Sequence, residues 1–301
     1  MLPLINVCGK DIKIQGRLVR IARLDADKHE FVDDPEAMLD GLRRLGTRID
    51  LFHFLQKLPH TSPIYSYPME WDNLAVLPVS TFENWWNNQL RSLPRNRARQ
   101  AEKKGATLRE VPFDDALIRG IWEVYNETPV RQGKPNAHYG KDLETVRSEA
   151  ATFLDRSVFI GAFVGESLIG FAKLMWDETR TQANLMNIVA MVRHRDKAPT
   201  NALIAQAVRT CADRGIPYLV YQSFSYGKKQ QDSLSTFKEI NGFGKVELPR
   251  YYVPLTPLGS LAFRLGLHHK LADHLPESLV GRFRAVRSAW YNRKLQSVET
   301  S

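Results

Sequence analysis

The 301-residue sequence has only two cysteines, Cys8 and Cys211, far apart and without CxxC or zinc-like spacing. This argues against a disulfide framework, and no structural metal is expected. A reducing, cytoplasmic setting fits such sparse cysteine usage. Long apolar runs are also missing: none approaches the roughly 20 residues that cross a bilayer. The opening MLPLINVCGKDIKIQGR lacks a basic stretch followed by a long apolar one, so it does not read as a secretory signal. Residues 1–80 contain no motif that carries chemistry.

Charged residues form 25% of the chain and hydrophobic ones 43%, which is ordinary for a globular protein and excludes a disordered or collagen-like chain. The length suffices for one large domain or two smaller ones with real cores. Forty-two basic against 33 acidic residues give a formal net charge of +9. That excess suits an anionic partner, and a phosphate-bearing cofactor, RNA and anionic lipid all qualify.

The spacing predicts an α/β portion over 1–80, a mixed α/β domain over 81–256 and a basic helical tail over 257–301. KIQGRLVRIARL reads as a strand, DDPEAMLDGLRRLG as a helix with an acidic, Pro-bearing start and a Gly stop, and IDLFHFL and NLAVLPV as strands. In STFENWWNNQLRSLPRNRARQAEKKG, Ser80 or Thr81 suits an N-cap and Gly105 a stop, with Pro94 expected to break the helix midway. ATLREV follows as a strand and FDDALIRGIWEVYNETPV as a helix ended by Pro129. RQGKPNAHYGKD has turn formers and no hydrophobic period, so it reads as an exposed loop. SVFIGAFVGESLIGFAKLMWD then reads as a hairpin about Gly165-Glu166, ANLMNIVAMV as a strand, NALIAQAVRTCADRG as a helix and IPYLVYQSF as a buried strand. SLSTFKEINGF and KVELPRYYVPL complete the series as a helix and a strand. This order implies an α+β fold, a mixed sheet with helices packed on it. The tail, with Arg282, Arg284, Arg287 and Trp290, forms two short amphipathic helices that either cover an edge of the core or meet anionic lipid at the inner membrane face.

HRDKAPTNALIAQAV, residues 194–208, brings a basic loop and a proline into a helix without any glycine. Helix N-termini attract anions because free N–H groups and the helix dipole point the same way. Arg195 and Lys197 supply charge, the N–H groups of Thr200, Asn201 and Ala202 supply the helix end, and Thr200 adds a hydroxyl. RNRARQAEKKG, with Trp85 and Trp86 upstream, combines basic and aromatic residues as single-stranded RNA sites do, although a solvated helix face has the same look.

The order hairpin, strand, basic loop, helix, strand, helix, NGF, strand resembles the GNAT acyltransferase superfamily over about residues 107–255. RDKAPT, from Arg195 to Thr200, falls in the register of that family's R-x-x-G-x-G/A loop, and FKEINGF, residues 237–243, is similar to its FYEKLGF element. LRSLPRNRARQAEKKGATLREV resembles the opening element of FemAB-like proteins, the branch that adds amino acids to cell-wall peptides. NETPVRQGKPNAHYGKD is similar to a bacterial GNAT-like group associated with polysaccharide gene clusters. The resemblance implies a GNAT-like mixed sheet and acyl transfer from acyl-CoA to an amine or hydroxyl of a polar acceptor, such as a sugar or envelope precursor. For the FemAB-like branch it implies an aminoacyl-tRNA donor instead. Ala198 and Thr200 depart from the small glycine positions of the loop, and a Cβ at each limits how closely backbone approaches phosphate. Lys238 stands where many family members carry the Tyr that protonates the leaving thiolate. Both departures also suit a non-catalytic scaffold.

Acyl transfer needs a bound donor, a deprotonated amine, a stabilised oxyanion and a proton for the leaving group. The GNAT arrangement implies an oxyanion contact from backbone N–H on NLMNIVAMV, which nominates Val189, Ala190 and Met191, beside a donor loop including Ala198. For proton transfer the candidates are His138, which titrates near neutrality, Tyr139, Glu127, Tyr226 and Lys238. Arg131 and Lys134 suit an anionic acceptor.

Overall fold

A computed structural model describes residues 4–131, 134–225 and 233–269. Its strands are β1 (Ile5–Val7), β2 (Lys10–Gln15), β3 (Ile21–Leu24), β4 (Leu51–Leu55), β5 (Met69–Pro78), β6 (Ala106–Val111), β7 (Val130–Arg131), β8 (Lys134–Pro135), β9 (Ser157–Val164), β10 (Ser167–Trp176), β11 (Gln182–Ala190), β12 (Tyr218–Val220) and β13 (Gly244–Pro254). The helices are α1 (Pro35–Arg44), α2 (Phe82–Asn84), α3 (Ser92–Lys103), α4 (Asp115–Asn126), α5 (Leu143–Ala150), α6 (Pro199–Asp213), α7 (Ser233–Ile240) and α8 (Pro257–Arg264). No helix among the described residues is long and apolar enough to cross a membrane.

The described residues divide into two units, each assembled from separated segments: those within 4–76, 222–225 and 245–269 form the first, and those within 77–131, 134–221 and 233–244 the second. The sequence reading places its divisions at 80 and 256, in chain order. In the structure β13 instead pairs with β4, from Arg250↔Leu55 to Pro254↔Leu51, so this late strand and α8 join the first unit. Strand pairing over such separations leaves no local signal.

Unit 1 has strand order β1-β2-β3-β4-β13-β5. The segment read as one strand over KIQGRLVRIARL is two, β2 and β3, paired antiparallel from Ile12↔Leu24 to Gln15↔Ile21. Gly16 makes the turn at φ +94, a left-handed conformation that disfavours any Cβ. Helix α1 begins as its sequence suggests: the Asp34 side chain accepts from the Ala37 N–H and Pro35 occupies the first turn. Met38, Leu39 and Leu42 then point at Ile12, Leu24, Phe52 and Tyr251 in the core.

Unit 2 has strand order β12-β11-β10-β9-β6, antiparallel except for the parallel β11–β12 pair. Every residue from Leu168 to Met175 is buried, so both faces of β10 are covered. On one of them Leu117, Ile118, Ile121 and Val124 of α4 and Val146 of α5 meet Phe159, Leu168 and Phe171. Thr81 caps α2 as expected, accepting from Asn84 N–H. The break expected at Pro94 lies earlier, at Leu90, where a wide turn over Trp85–Gln89 ends. Pro94 sits within the first turn of α3, where a missing N–H leaves no bond unmade. The segment read as a plain exposed loop over 131–142 contains a short β7–β8 hairpin, and His138 is half-buried. Of the tail, α8 and the turn to His269 are described, and the remainder of the expected helical pair lies outside the described residues.

Candidate active site

Strand β11 runs from Gln182 to Ala190, but β12 follows it for three pairs only, Gln182↔Tyr218 to Asn184↔Val220. Pairing between the two strands ends there, where β12 itself ends. Immediately afterwards the register with β10 slips between Lys173↔Asn187 and Leu174↔Leu185, leaving Met186 as an extra residue. Such a bulge bends its strand. Met186 to Val189 are correspondingly only half-buried.

The Met191 N–H donates to the Ile169 carbonyl at 2.8 Å. Narrow and wide pairs alternate in an antiparallel ladder, so Val189 also turns its N–H toward β10, whereas Ile188 and Ala190 turn theirs away. Of the three N–H groups nominated from the sequence, Met191 and Val189 are therefore committed to the sheet and Ala190 alone faces away from β10. Opposite it stands Gly170, where a Cβ would lie 2.9 Å from the Ala190 Cα. Glycine is what allows the two backbones to pass so closely.

The Ala190 carbonyl, facing the same side, accepts from the Arg131 guanidinium. Arg131 Nη1 is buried and has no partner among the described residues. Burial lowers the Arg131 pKa, against the opposing pull of Glu127. The Glu127 carboxylate accepts the Val192 N–H at 2.6 Å and the Arg193 N–H at 2.8 Å. Both of its oxygens are thus engaged as a capping anion for the turn over Val192–Lys197, the alternative to a catalytic base at this position.

The anion-binding loop differs from its sequence reading for a related reason. Ala198 adopts the left-handed conformation, φ +48, and its carbonyl accepts from Asn201 N–H at 3.1 Å and Ala202 N–H at 3.4 Å. Pro199 has no N–H, so Thr200 supplies the one donor left of the three expected. Lys197 lies 3.6 Å from Asp196, and Arg195 is exposed. Asp196 also pairs with Lys104 at 3.3 Å and its carbonyl accepts from Gln100, which ties the basic helix α3 to this loop.

His138 stacks on Tyr125 with ring centres 4.1 Å apart and planes 11° apart. Burial first, then the neighbouring Lys141, lower the imidazole pKa, so the ring is neutral at pH 7. Lys141 itself pairs with Glu149 at 2.6 Å. Tyr125, Glu149, Phe159, Phe171 and Asn187 line a small cavity of about 40 Å³. Tyr139 and Lys134 are exposed. Lys238 is wholly buried on α7, its ammonium 4.7 Å from the centre of the Tyr221 ring. Tyr226 lies outside the described residues.

Sequence reasoning missed Tyr125, Glu149 and Lys173. Tyr125 and Glu149 sit among ordinary helical residues, whereas Lys173 left a signal as the one charge in SLIGFAKLMW. It is 1% exposed, donates to the Ala150 carbonyl at 2.8 Å and to Thr152, and lies over Phe159. It thereby caps the C-terminal end of α5. Burial pushes its pKa down to about 8 from the ordinary 10.5. Between those values the folded chain has released a proton that the unfolded chain still holds, so this group makes stability rise with pH from about 8 to 10.5. Urea unfolding across that window is expected to show a smaller rise for Lys173→Met than for the parent.

No protein-family model matches the sequence, and no curated protein matches it. Solved structures do. The C-terminal DUF2156 domain of a protein described as a lysylphosphatidylglycerol synthetase from Agrobacterium fabrum superposes with a TM-score of 0.58 at 15% identity, over 85% of this chain and 83% of that one. L-PGS from Bacillus licheniformis gives 0.57 at 13% identity, over 85% and 84%. FemX gives 0.55 at 11% identity, over 86% and 89%. At these identities the likeness is one of fold. The chain has the mixed α/β GNAT-like fold.

Proposed function

We propose that unit 2 transfers an acyl or aminoacyl group from an activated ester or thioester to an amine or hydroxyl of a polar, anionic acceptor. The observation that carries this reading is the end of β11–β12 pairing at Asn184↔Val220, beyond which the Ala190 N–H faces away from β10 and would meet a donor in an opening there. A donor carbonyl in that opening would place its oxygen at the Ala190 N–H. Attack by the acceptor forms the new C–N or C–O bond, builds negative charge on that oxygen and then breaks the bond to the leaving group. Neutral His138 is suited to take the proton from the acceptor, and Lys238 to return one to the leaving group. Arg131, through Nη1, would hold an anionic group of the acceptor.

The state of the 192–202 loop favours an ester-linked donor such as aminoacyl-tRNA. A coenzyme A pyrophosphate needs several convergent N–H groups, and here Glu127 holds those of Val192 and Arg193 and the Ala198 carbonyl those of Asn201 and Ala202, which leaves Thr200 alone of the three at the start of α6. The name of one of the similar structures, described as a lysylphosphatidylglycerol synthetase, denotes an amino acid placed on an anionic lipid, a reaction of the proposed class. Acyl-CoA is the second reading, supported by Arg195, Lys197 and the Thr200 hydroxyl at the start of α6. Thermal unfolding separates the two. Aminoacyl-tRNA is expected to raise the midpoint and coenzyme A to leave it unchanged. Stabilisation by coenzyme A alone would transfer the proposal to the acyl-CoA donor, and no response to either would refute both donors.

A further inference from the structure

Two imidazoles and one carboxylate converge in unit 1, far from any ligand spacing in the sequence. Glu70 stands at the start of β5, and His268 and His269 lie in the turn after α8. The Glu70 Oε1 is 3.0 Å from His268 Nε2 and 3.1 Å from His269 Nε2, and the ligand atoms of all three residues lie within 4.8 Å of one another. From this geometry we infer that Glu70, His268 and His269 form a binding site for a divalent transition-metal ion of the zinc type.

Three observations support the assignment. The donor set, two imidazole nitrogens and a carboxylate oxygen, is one that a borderline-soft ion such as Zn²⁺ prefers, with solvent completing the coordination. Metal–ligand bonds of about 2.0–2.1 Å in a tetrahedron put neighbouring ligand atoms about 3.3 Å apart. The two nitrogen–oxygen separations fall a few tenths of an ångström inside that spacing, so the ligands need only small movements to admit the ion.

The surroundings also orient the ligands before any ion arrives. The His268 side chain is 2% exposed and packs on Phe263, with ring centres 5.0 Å apart, and on Tyr252 at 4.6 Å. An aromatic wall of this kind is the outer support that holds a ligating imidazole in one orientation. His269 and Glu70 keep 37% and 36% of their side chains exposed, which leaves a route for the ion and a face for a water ligand. Bound metal would fasten the turn after α8 to β5.

The test uses the full chain, purified and stripped with a chelator, then titrated with cobalt(II) chloride and zinc chloride. The expected result is one equivalent of Co²⁺ per chain with visible d–d absorption, its displacement by Zn²⁺ and a raised unfolding midpoint with either ion. Glu70→Gln and His269→Ala change partly exposed groups and are expected to keep the parent circular dichroism while weakening Co²⁺ binding at least tenfold. Absence of stoichiometric binding would overturn the assignment, leaving two imidazoles hydrogen-bonded to one carboxylate. So would binding that both folded variants retain.

Discussion

Ala190→Pro is expected to lower the rate of acyl or aminoacyl transfer by about 10²–10³-fold, the usual effect of losing one oxyanion donor. Proline deletes the N–H and leaves the carbonyl that accepts from Arg131. In a paired strand such a change would break the ladder. Here the Ala190 N–H turns away from β10, because the Met191 N–H and not its neighbour bonds to Ile169, and the pairing of β11 with β12 has already ended. The urea midpoint is therefore expected to stay near that of the parent while turnover falls. A variant of parent-like stability that retains full transfer would remove Ala190 from the chemistry.

The largest effect on stability is expected at Gly259, in the first turns of α8. A Cβ there would lie 1.7 Å from the Asp50 carbonyl oxygen, a backbone atom that cannot swing aside. That carbonyl also accepts the Leu255 N–H at 2.9 Å, and the Asp50 carboxylate accepts from Arg20 N–H, Arg48 and Thr256. Relief of the overlap would displace α8 from the end of β4 and disturb this buried cluster. Gly259→Ala is expected to cost about 3 kcal/mol or more in urea denaturation, at the upper end of overpacking effects. The neighbouring Leu261→Ala, at a side chain 52% exposed, is expected to stay within about 0.5 kcal/mol and serves as the control.

Much of unit 2 is legible in the sequence because its elements close on themselves. The Gly165-Glu166 hairpin, the cap at Thr81 and the apolar stripe of α6 depend on residues within a few positions of one another. The same local logic located the Ala190 strand and the basic loop before α6. It failed at KIQGRLVRIARL, where the alternation of two paired strands continues through a turn, and at Pro94, whose effect depends on where the helix starts. It left the neighbours of β13 unassigned, since pairing with β4 depends on shape far along the chain.

The sequence by itself determined the order of elements, the positive charge, the scarcity of cysteine and the region where a donor loop should lie. Periodicity and capping are local, and one chain suffices to read them. Only the tertiary structure decided which polar groups remain available. Glu127, 65 residues before Val192, accepts the N–H groups of Val192 and Arg193, while Arg131 reaches the carbonyl of Ala190. Likewise Glu70 meets His268 from 198 residues away. Each buried donor or acceptor must find a partner, and that partner is chosen by proximity in space, which spacing along the chain does not encode.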